Sequence, residues 1–471
     1  MDPLASILPF FKSPKTKSHR FFSCCLVVCS LLFTVGAHAA PPKKKTKPNE
    51  RHGRDLQVID GAWQTLPAAD ATADTKGLES AIPAGAKETP VPSLQEPKTG
   101  DAGTTPVWYW RQFSLPADWK GQTIRLRFEA VAEKAEVWLN GQKLGEHTGG
   151  ATPFEFTITK TAHIGDTGEK NLLALRVVGG KWGMGLWQGV LLIAHDEAYL
   201  GECVPITDAK GHVNADLALL NTSQTAGDAT LDARLVPSKE TARTVASTHQ
   251  NLRVSPGRNS TIVLLTVGNK VRADWSPDSP SLYFLQLAFR QEKDILDTQQ
   301  TAFGFREFDY QNGLITLNGA PLQSKSKWKA LAAPVGRPTV IASVEDEGRL
   351  RTALHRLKEN GVTLLYVYAP APVMLRLADE EGLLIVEGAR TGQSPEAAAE
   401  ELRALILRDR AHPSILAWNL GDADTNTATT IRALDATRFL MVGSGIATKL
   451  WPPNGNAPVA EPLPAGLLPI P

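Results

Sequence analysis

Cysteine is scarce in this chain: there are four in 471 residues, and three of them, Cys24, Cys25 and Cys29, fall within the first 40. Only Cys203 lies beyond, so an internal disulfide framework is excluded and the fold must rest on its cores. A lone cysteine of this kind is more often a small buried apolar residue than a nucleophile. An excess of one charge is missing too, with 50 Lys and Arg against 49 Asp and Glu. That excludes a general electrostatic hold on nucleic acid or on an anionic membrane and fits a neutral partner such as a sugar. The sequence has no glycine-rich phosphate loop, no paired Cys/His spacing for zinc and no internal repeat. No cofactor or metal is implied.

What is present starts with an export signal. Lys12, Lys15, Lys17 and Arg20 form a basic start, and Phe21 to Val35 is an apolar run too short for a membrane span. Ala37-His38-Ala39 supplies the small residues that a signal peptidase needs, so cleavage is expected after Ala39. The alternative is an N-terminal membrane anchor. Residues 1–39 are read as a signal peptide and 40–55, which contains PPKKKTKPNERHGR, as a basic solvated linker. Export leaves periplasmic, cell-surface and extracellular destinations open.

Periodicity then divides the chain. From Leu56 to Thr105 the sequence is rich in Ala, Pro, Gly and Asp and is expected to hold one or two edge strands. Short strand-like segments follow, among them VWYWRQFSL, TIRLRFEAV, AEVWLNG and LLALRVV. Asn140-Gly141 between apolar runs predicts a tight turn, because both positions tolerate φ > 0. Residues 56–200 are therefore expected to form a jelly-roll β-sandwich, and 201–303, with alternation in TLDARLV and LYFLQLAF, an immunoglobulin-like sandwich. After Tyr310 the period changes. EGRLRTALHRLKEN spaces Leu350, Leu354 and Leu357 as a helix does, and TLLYVYA, LLIVEG, SILAWNL and FLMVGS alternate with helical stretches. Residues 304–450 are expected to form a partial (β/α) barrel of about four strands, or five with a weak one near Pro321 to Ser326. The tail 451–471 is proline-rich and expected to be irregular.

Several segments, in this order, carry a resemblance. They are Trp108-Tyr109-Trp110-Arg111, Ala135-Glu136-Val137-Trp138-Leu139-Asn140-Gly141, and Gly185-Leu186-Trp187-Gln188-Gly189. Further on come Trp275-Ser276-Pro277, Phe303-Gly304-Phe305-Arg306, His412-Pro413-Ser414-Ile415 and Trp418-Asn419-Leu420-Gly421. Together they resemble glycoside hydrolase family 2, which includes β-galactosidases, β-glucuronidases and β-mannosidases. The resemblance implies a sugar-binding sandwich, an immunoglobulin-like sandwich and a catalytic barrel. It also implies retaining hydrolysis, which needs an acid/base carboxyl and a nucleophilic carboxylate at the C-terminal ends of barrel strands.

The chain departs from that pattern at the chemistry. After Trp-x-Leu-Gly the family has Asn-Glu, the glutamate being the acid/base, whereas here Asp422-Ala423 follows. Alanine has no proton to give. The family's nucleophile belongs to a later strand, near the seventh, which is not expected before the sequence stops. The segment Gln323 to Lys329 reads QSKSKWK where the family has Gly-x-Asn-Arg-His. Glu387, at the end of LLIVE, matches a family glutamate.

No catalytic residue is therefore assigned, and the carbohydrate-binding candidates are Trp418, Asp422, Asp424 and Glu387. Trp418 is either a sugar platform or a core ring. Asp422 or Asp424 could stand in for the lost glutamate only from a shifted position. Glu387 is either a lone acid or a structural carboxylate. Trp182 and Trp187 touch glycan or close the sandwich core. An incomplete barrel leaves an open strand edge, to be covered by the β-domains, the tail, a second copy or another partner. The expected function is non-hydrolytic glycan binding or scaffolding, with an active retaining β-glycosidase as the alternative.

Overall fold

The computed structural model of the chain describes residues 53–68, 77–95, 105–165, 169–180, 183–322, 329–332, 344–389, 394–421, 425–442 and 449–453. Residues 1–52, where an export signal was expected, residues 323–328 of QSKSKWK, Trp182 and the tail beyond 453 lie outside the described residues.

The first unit is a two-sheet β-sandwich. One sheet has four antiparallel strands in the order Asp55–Val58, Val190–His195, Thr123–Phe128, Phe154–Thr157. The other has six, Lys87–Val91, Gly61–Pro67, Val107–Phe113, Asn171–Val178, Lys134–Leu139, Gln142–Thr148. Alternation sends Tyr109, Val137, Leu173 and Leu175 of the six-stranded sheet into a shared core with Ile124, Leu126 and Leu192 of the other. Asn140 and Gly141 form the two-residue turn expected of them, with φ 52° and 79°, between register partners Leu139 and Gln142. Asn140 Oδ1 also accepts from Leu172 N at 2.8 Å, which ties the turn to the neighbouring strand. The lead-in is more regular than its composition suggested. Gly61–Pro67 is an interior strand, flanked on both sides, because Trp63 and Thr65 alternate into the core.

The second unit is also a sandwich. A three-stranded sheet, Ala198–Thr207, His212–Asn221, Gly257–Thr266, faces a four-stranded one, Ala246–Val254, Gly227–Pro237, Tyr283–Gln291, Asp294–Phe303. Their core gathers Leu217, Val263, Leu231, Leu285 and Phe289. Cys203 is buried in it and unpaired, and burial pushes its thiol up to about 12.

The third unit is a six-stranded sheet in the order Lys329–Ala332, Val362–Tyr368, Leu384–Gly388, Ile415–Asn419, Phe439–Val442, Lys449–Trp451. The first five strands run parallel and the last is antiparallel to its neighbour. The first parallel strand is Lys329–Ala332; of the weak strand expected near Pro321 to Ser326, residues 323–326 lie outside the described residues and Pro321 belongs to a two-residue strand of a separate three-stranded sheet. The strand Lys449–Trp451 includes the first residue of the segment that was expected to be irregular. Leu450 and Trp451 bury on opposite faces of the sheet before Pro452 and Pro453 end the supply of donors.

Helices α1 (Val344–Glu359), α2 (Pro372–Glu381), α3 (Pro395–Asp409) and α4 (Thr425–Leu434) accompany the sheet. Pro372 and Pro395 sit in first turns where no amide donor is needed, and Ser394 caps α3 by accepting from Ala397 N. Gly382 ends α2 at φ 72°, where a Cβ would also strike Pro277 O. Leu354, Leu375, Leu377, Leu402 and Ile406 of the helices pack on Leu365, Ile385 and Ile415 of the strands. The other face, with Leu364, Tyr366, Leu384, Val386, Phe439 and Met441, packs on Trp275, Phe308, Ile315 and Leu317.

Candidate functional site

The strand ends are where a parallel sheet of this kind would place chemistry. Alternation decides which side each residue takes. Leu384 and Val386 face the core that includes Trp275, while Ile385 faces the helices, so Glu387 follows Ile385 to the helix side. Trp418 is its register partner on the next strand and also belongs to the helix-side core.

Both are fully buried, at 0% exposure. Trp418 Nε1 donates to Asp435 Oδ2 at 3.0 Å, and Arg438 lies over the ring at 5.6 Å. A ring enclosed in this way offers no face to a pyranose, so Trp418 is a core residue rather than a sugar platform. Glu387 is a buried carboxyl whose two oxygens have no hydrogen-bond partner within 3.5 Å among the described residues. Burial pushes it well above the usual carboxylate range, and the nearby Asp409 pushes further, against the pull of Arg408 and Arg438. No backbone donor among the described residues reaches it.

The groups around this pair come from the ends of α2 and α3 and from the turns that follow α3 and α4. Arg438 donates to Asp435 Oδ2 at 2.6 Å, to Ile415 O and to His412 O. Asp435 Oδ1 also accepts from Thr437 N and Oγ1, both at 2.8 Å. Burial alone would raise Asp435, but Arg438, Arg306 and the Thr437 bonds outweigh it and hold the carboxyl at about 2. Arg408 makes a two-point contact with Asp409, at 2.7 and 2.6 Å, and also donates to Pro370 O and Ala151 O. His412 Nδ1 lies 2.5 Å from Asp379 Oδ2, while Ser414 N donates to Asp379 Oδ1.

Two carboxyls, those of Glu387 and Asp409, thus do come near each other. Neither is open to solvent, at 0% and 1% exposure. Leu405 and Ala369 above them pack on Ala130, Ala151 and Trp187 of the first sandwich, which seals that side. Trp187 is itself 0% exposed and donates to Gly150 O at 2.6 Å, so it is buried at the contact between the sandwich and the third unit. Among the described residues, two neutral groups lie at the strand ends. Tyr368 and Asn419 are half-buried and pack over Gly388, where a Cβ would meet the Tyr368 ring at 3.3 Å and Asn419 O at 3.2 Å. Asp422, Ala423 and Asp424 lie outside the described residues. No group of three or more potential metal ligands occurs among the described residues.

Comparison with known proteins follows the same division. The model for the sugar binding domain of glycosyl hydrolases family 2 matches residues 88–197, and a second model, glycosyl hydrolases family 2, matches 204–306. A beta-galactosidase of Thermoanaerobacter pseudethanolicus is 26% identical over 336 residues, covering 66% of this chain and 44% of that protein. A beta-glucuronidase of Formosa agariphila is 22% identical over 430 residues, covering 80% of this chain and 41% of that protein. The chain thus spans less than half the length of these curated relatives. A solved glycosyl hydrolase family 2 member from Bacteroides cellulosilyticus superposes with a TM-score of 0.69 at 22% identity, covering 82% of this chain and 56% of that one.

Proposed function

From a chain that is a relative of glycoside hydrolase family 2, we propose a non-hydrolytic glycan-binding or scaffolding protein whose parallel sheet is part of a (β/α) barrel. The observation that carries this reading is Ala423 at the place where Trp418-Asn419-Leu420-Gly421 leads the family to its acid/base glutamate. Retaining hydrolysis needs a proton donor for the leaving oxygen opposite an attacking carboxylate. Glu387 does not replace that donor, because its carboxyl is sealed beneath the helices.

Glycan affinity is supported by the two matched domains and by relatives named for galactoside and glucuronide hydrolysis. Binding is tested by titrating β-galactosides and β-glucuronides into the purified chain in a calorimeter; absence of heat with both would leave a purely structural module. Hydrolysis is tested with aryl β-glycosides. Turnover that disappears in Asp422→Asn would establish the alternative, an active glycosidase with a rearranged acid pair. Export belongs to the same proposal, on the strength of Phe21 to Val35 and Ala37-His38-Ala39. N-terminal sequencing of the exported protein should begin at Ala40. The Lys329–Ala332 strand pairs on one side only among the described residues, so a second copy or another partner is proposed to cover that edge. Light scattering of the purified protein reads its mass directly.

A further inference from the structure

A cleft of about 270 Å³ separates the second sandwich from the turn that follows α4. Thr207, Gly304 and Arg306 line one side, and Arg410, Thr437 and Arg438 the other. Gly304 is required there by close approach, since a Cβ would lie 2.8 Å from that of Trp275 and 3.1 Å from that of Pro413.

The charges of this cleft do not balance. Three guanidinia face two carboxylates, Asp216 and Asp435. Asp435 is already committed to Arg438, Trp418 and Thr437, while Asp216 is exposed. Arg306 is only 8% exposed, stands 4.9 Å over the Phe308 ring and, among the described residues, donates to Thr437 alone, to its O and Oγ1, both at 3.2 Å. Arg410 donates through one terminal nitrogen to Leu434 O, and its buried Nε has no partner. Among the described residues neither arginine has a carboxylate within 4.0 Å. A desolvated guanidinium without an anion is costly, and its planar fork matches an oxyanion in two-point geometry.

We propose that this cleft binds a small oxyanion, a sulfate, phosphate or sugar carboxylate, between Arg306 and Arg410. A water occupies about 30 Å³ in the liquid, so the space admits such a group with part of its hydration. The site is separate from the strand ends and independent of whether the protein binds neutral glycan. An occupant would join the second sandwich to the parallel sheet, because Arg306 and Arg410 belong to different units.

The test is calorimetric titration of the full chain with sodium sulfate, sodium phosphate and sodium glucuronate, against sodium chloride at matched ionic strength and against glucose. Melting shifts alone do not suffice, since sulfate and phosphate also stabilise by exclusion from protein surface. The proposal expects saturable heat with at least one oxyanion and none with chloride or glucose. Arg410→Gln should weaken that binding by about tenfold, the loss of one charge-assisted hydrogen bond. Stronger binding of glucuronate than of sulfate and phosphate would identify a sugar acid, and the reverse order an inorganic or ester anion. If Arg306→Ala does not fold, Arg410→Gln decides alone. Heat absent with all three oxyanions, or equal affinity in wild type and Arg410→Gln, would overturn the proposal.

Discussion

In the Gly227–Pro237 strand of the second sandwich, Ala229, Leu231, Ala233 and Leu235 take alternate positions and all enter one apolar core. In the Leu384–Gly388 strand the set that begins with apolar Ile385 continues into Glu387, and charged groups gather around it. The first strand buries one face and is held there by apolar contact, whereas the second is buried on both faces and borders a layer of Asp435, Arg438, Arg408 and Asp409. The second sandwich does contain buried Asp297, but Arg54 pairs with it at 2.8 Å and Leu200 N donates to it at 2.8 Å. The difference is one of dependence: charges within the parallel sheet hold one another, so removing any of them strands its partner.

Asp435→Ala should break this layer most severely. It leaves Arg438 and the Trp418 N–H unpaired in a dry interior and should cost roughly 3–5 kcal/mol in urea unfolding. Asp435 is held at about 2 against an ordinary 3.8, so its contribution is present above 3.8 and lost as pH falls toward 2. The variant should therefore show a shallower acid limb. A cost below about 1 kcal/mol would mean that the layer is incidental. Trp418→Phe keeps most of the ring but removes its donor to Asp435, and should cost about 1–3 kcal/mol without changing glycan affinity. Lost glycan affinity at unchanged stability would restore the sugar-platform reading.

Glu387→Gln should act in the opposite direction. The folded state raises this carboxyl above its ordinary 4.5, so folding favours the protonated form. The stability that this group contributes is therefore fully present below 4.5 and declines as pH rises toward the raised value. The amide escapes that penalty, so the variant should match wild type at pH 4 and exceed it by about 1–2 kcal/mol at pH 8. Arg253→Ala, which removes a pair with Asp228 at 2.9 Å on the exposed face of the second sandwich, should stay within about 0.5 kcal/mol. A large loss there would erase the contrast between the two regions.

The sandwiches were legible because their signal is local. Leu231 lies between Thr230 and Asp232, Val137 follows Glu136, and Asn140-Gly141 marks a turn that the backbone needs. The parallel strands were legible as short apolar runs between helices, but Lys329–Ala332 was not, since KALA carries little β signal. The buried charges could not be read. Arg408 and Asp409 end α3 where cations and polar groups normally meet solvent, and Asp435 to Arg438 reads as an ordinary exposed turn. Their burial comes from a neighbouring domain and neighbouring strands, which one-dimensional spacing does not encode. Trp418 and Glu387 were singled out as candidate glycan contacts, but strand alternation places both against the helices. The signal that could have found this is parity: Ile385 and Glu387 share a face.

The most direct measurement is release of aryl alcohol from β-galactoside and β-glucuronide substrates by the purified chain, followed to long times at high protein concentration. With alanine at 423 and Glu387 enclosed beneath the helices, the rate should equal that of buffer. Release above that background, abolished by Asp422→Asn and unaffected by Glu387→Gln, would show that the polypeptide supplies its own proton donor and would contradict the account.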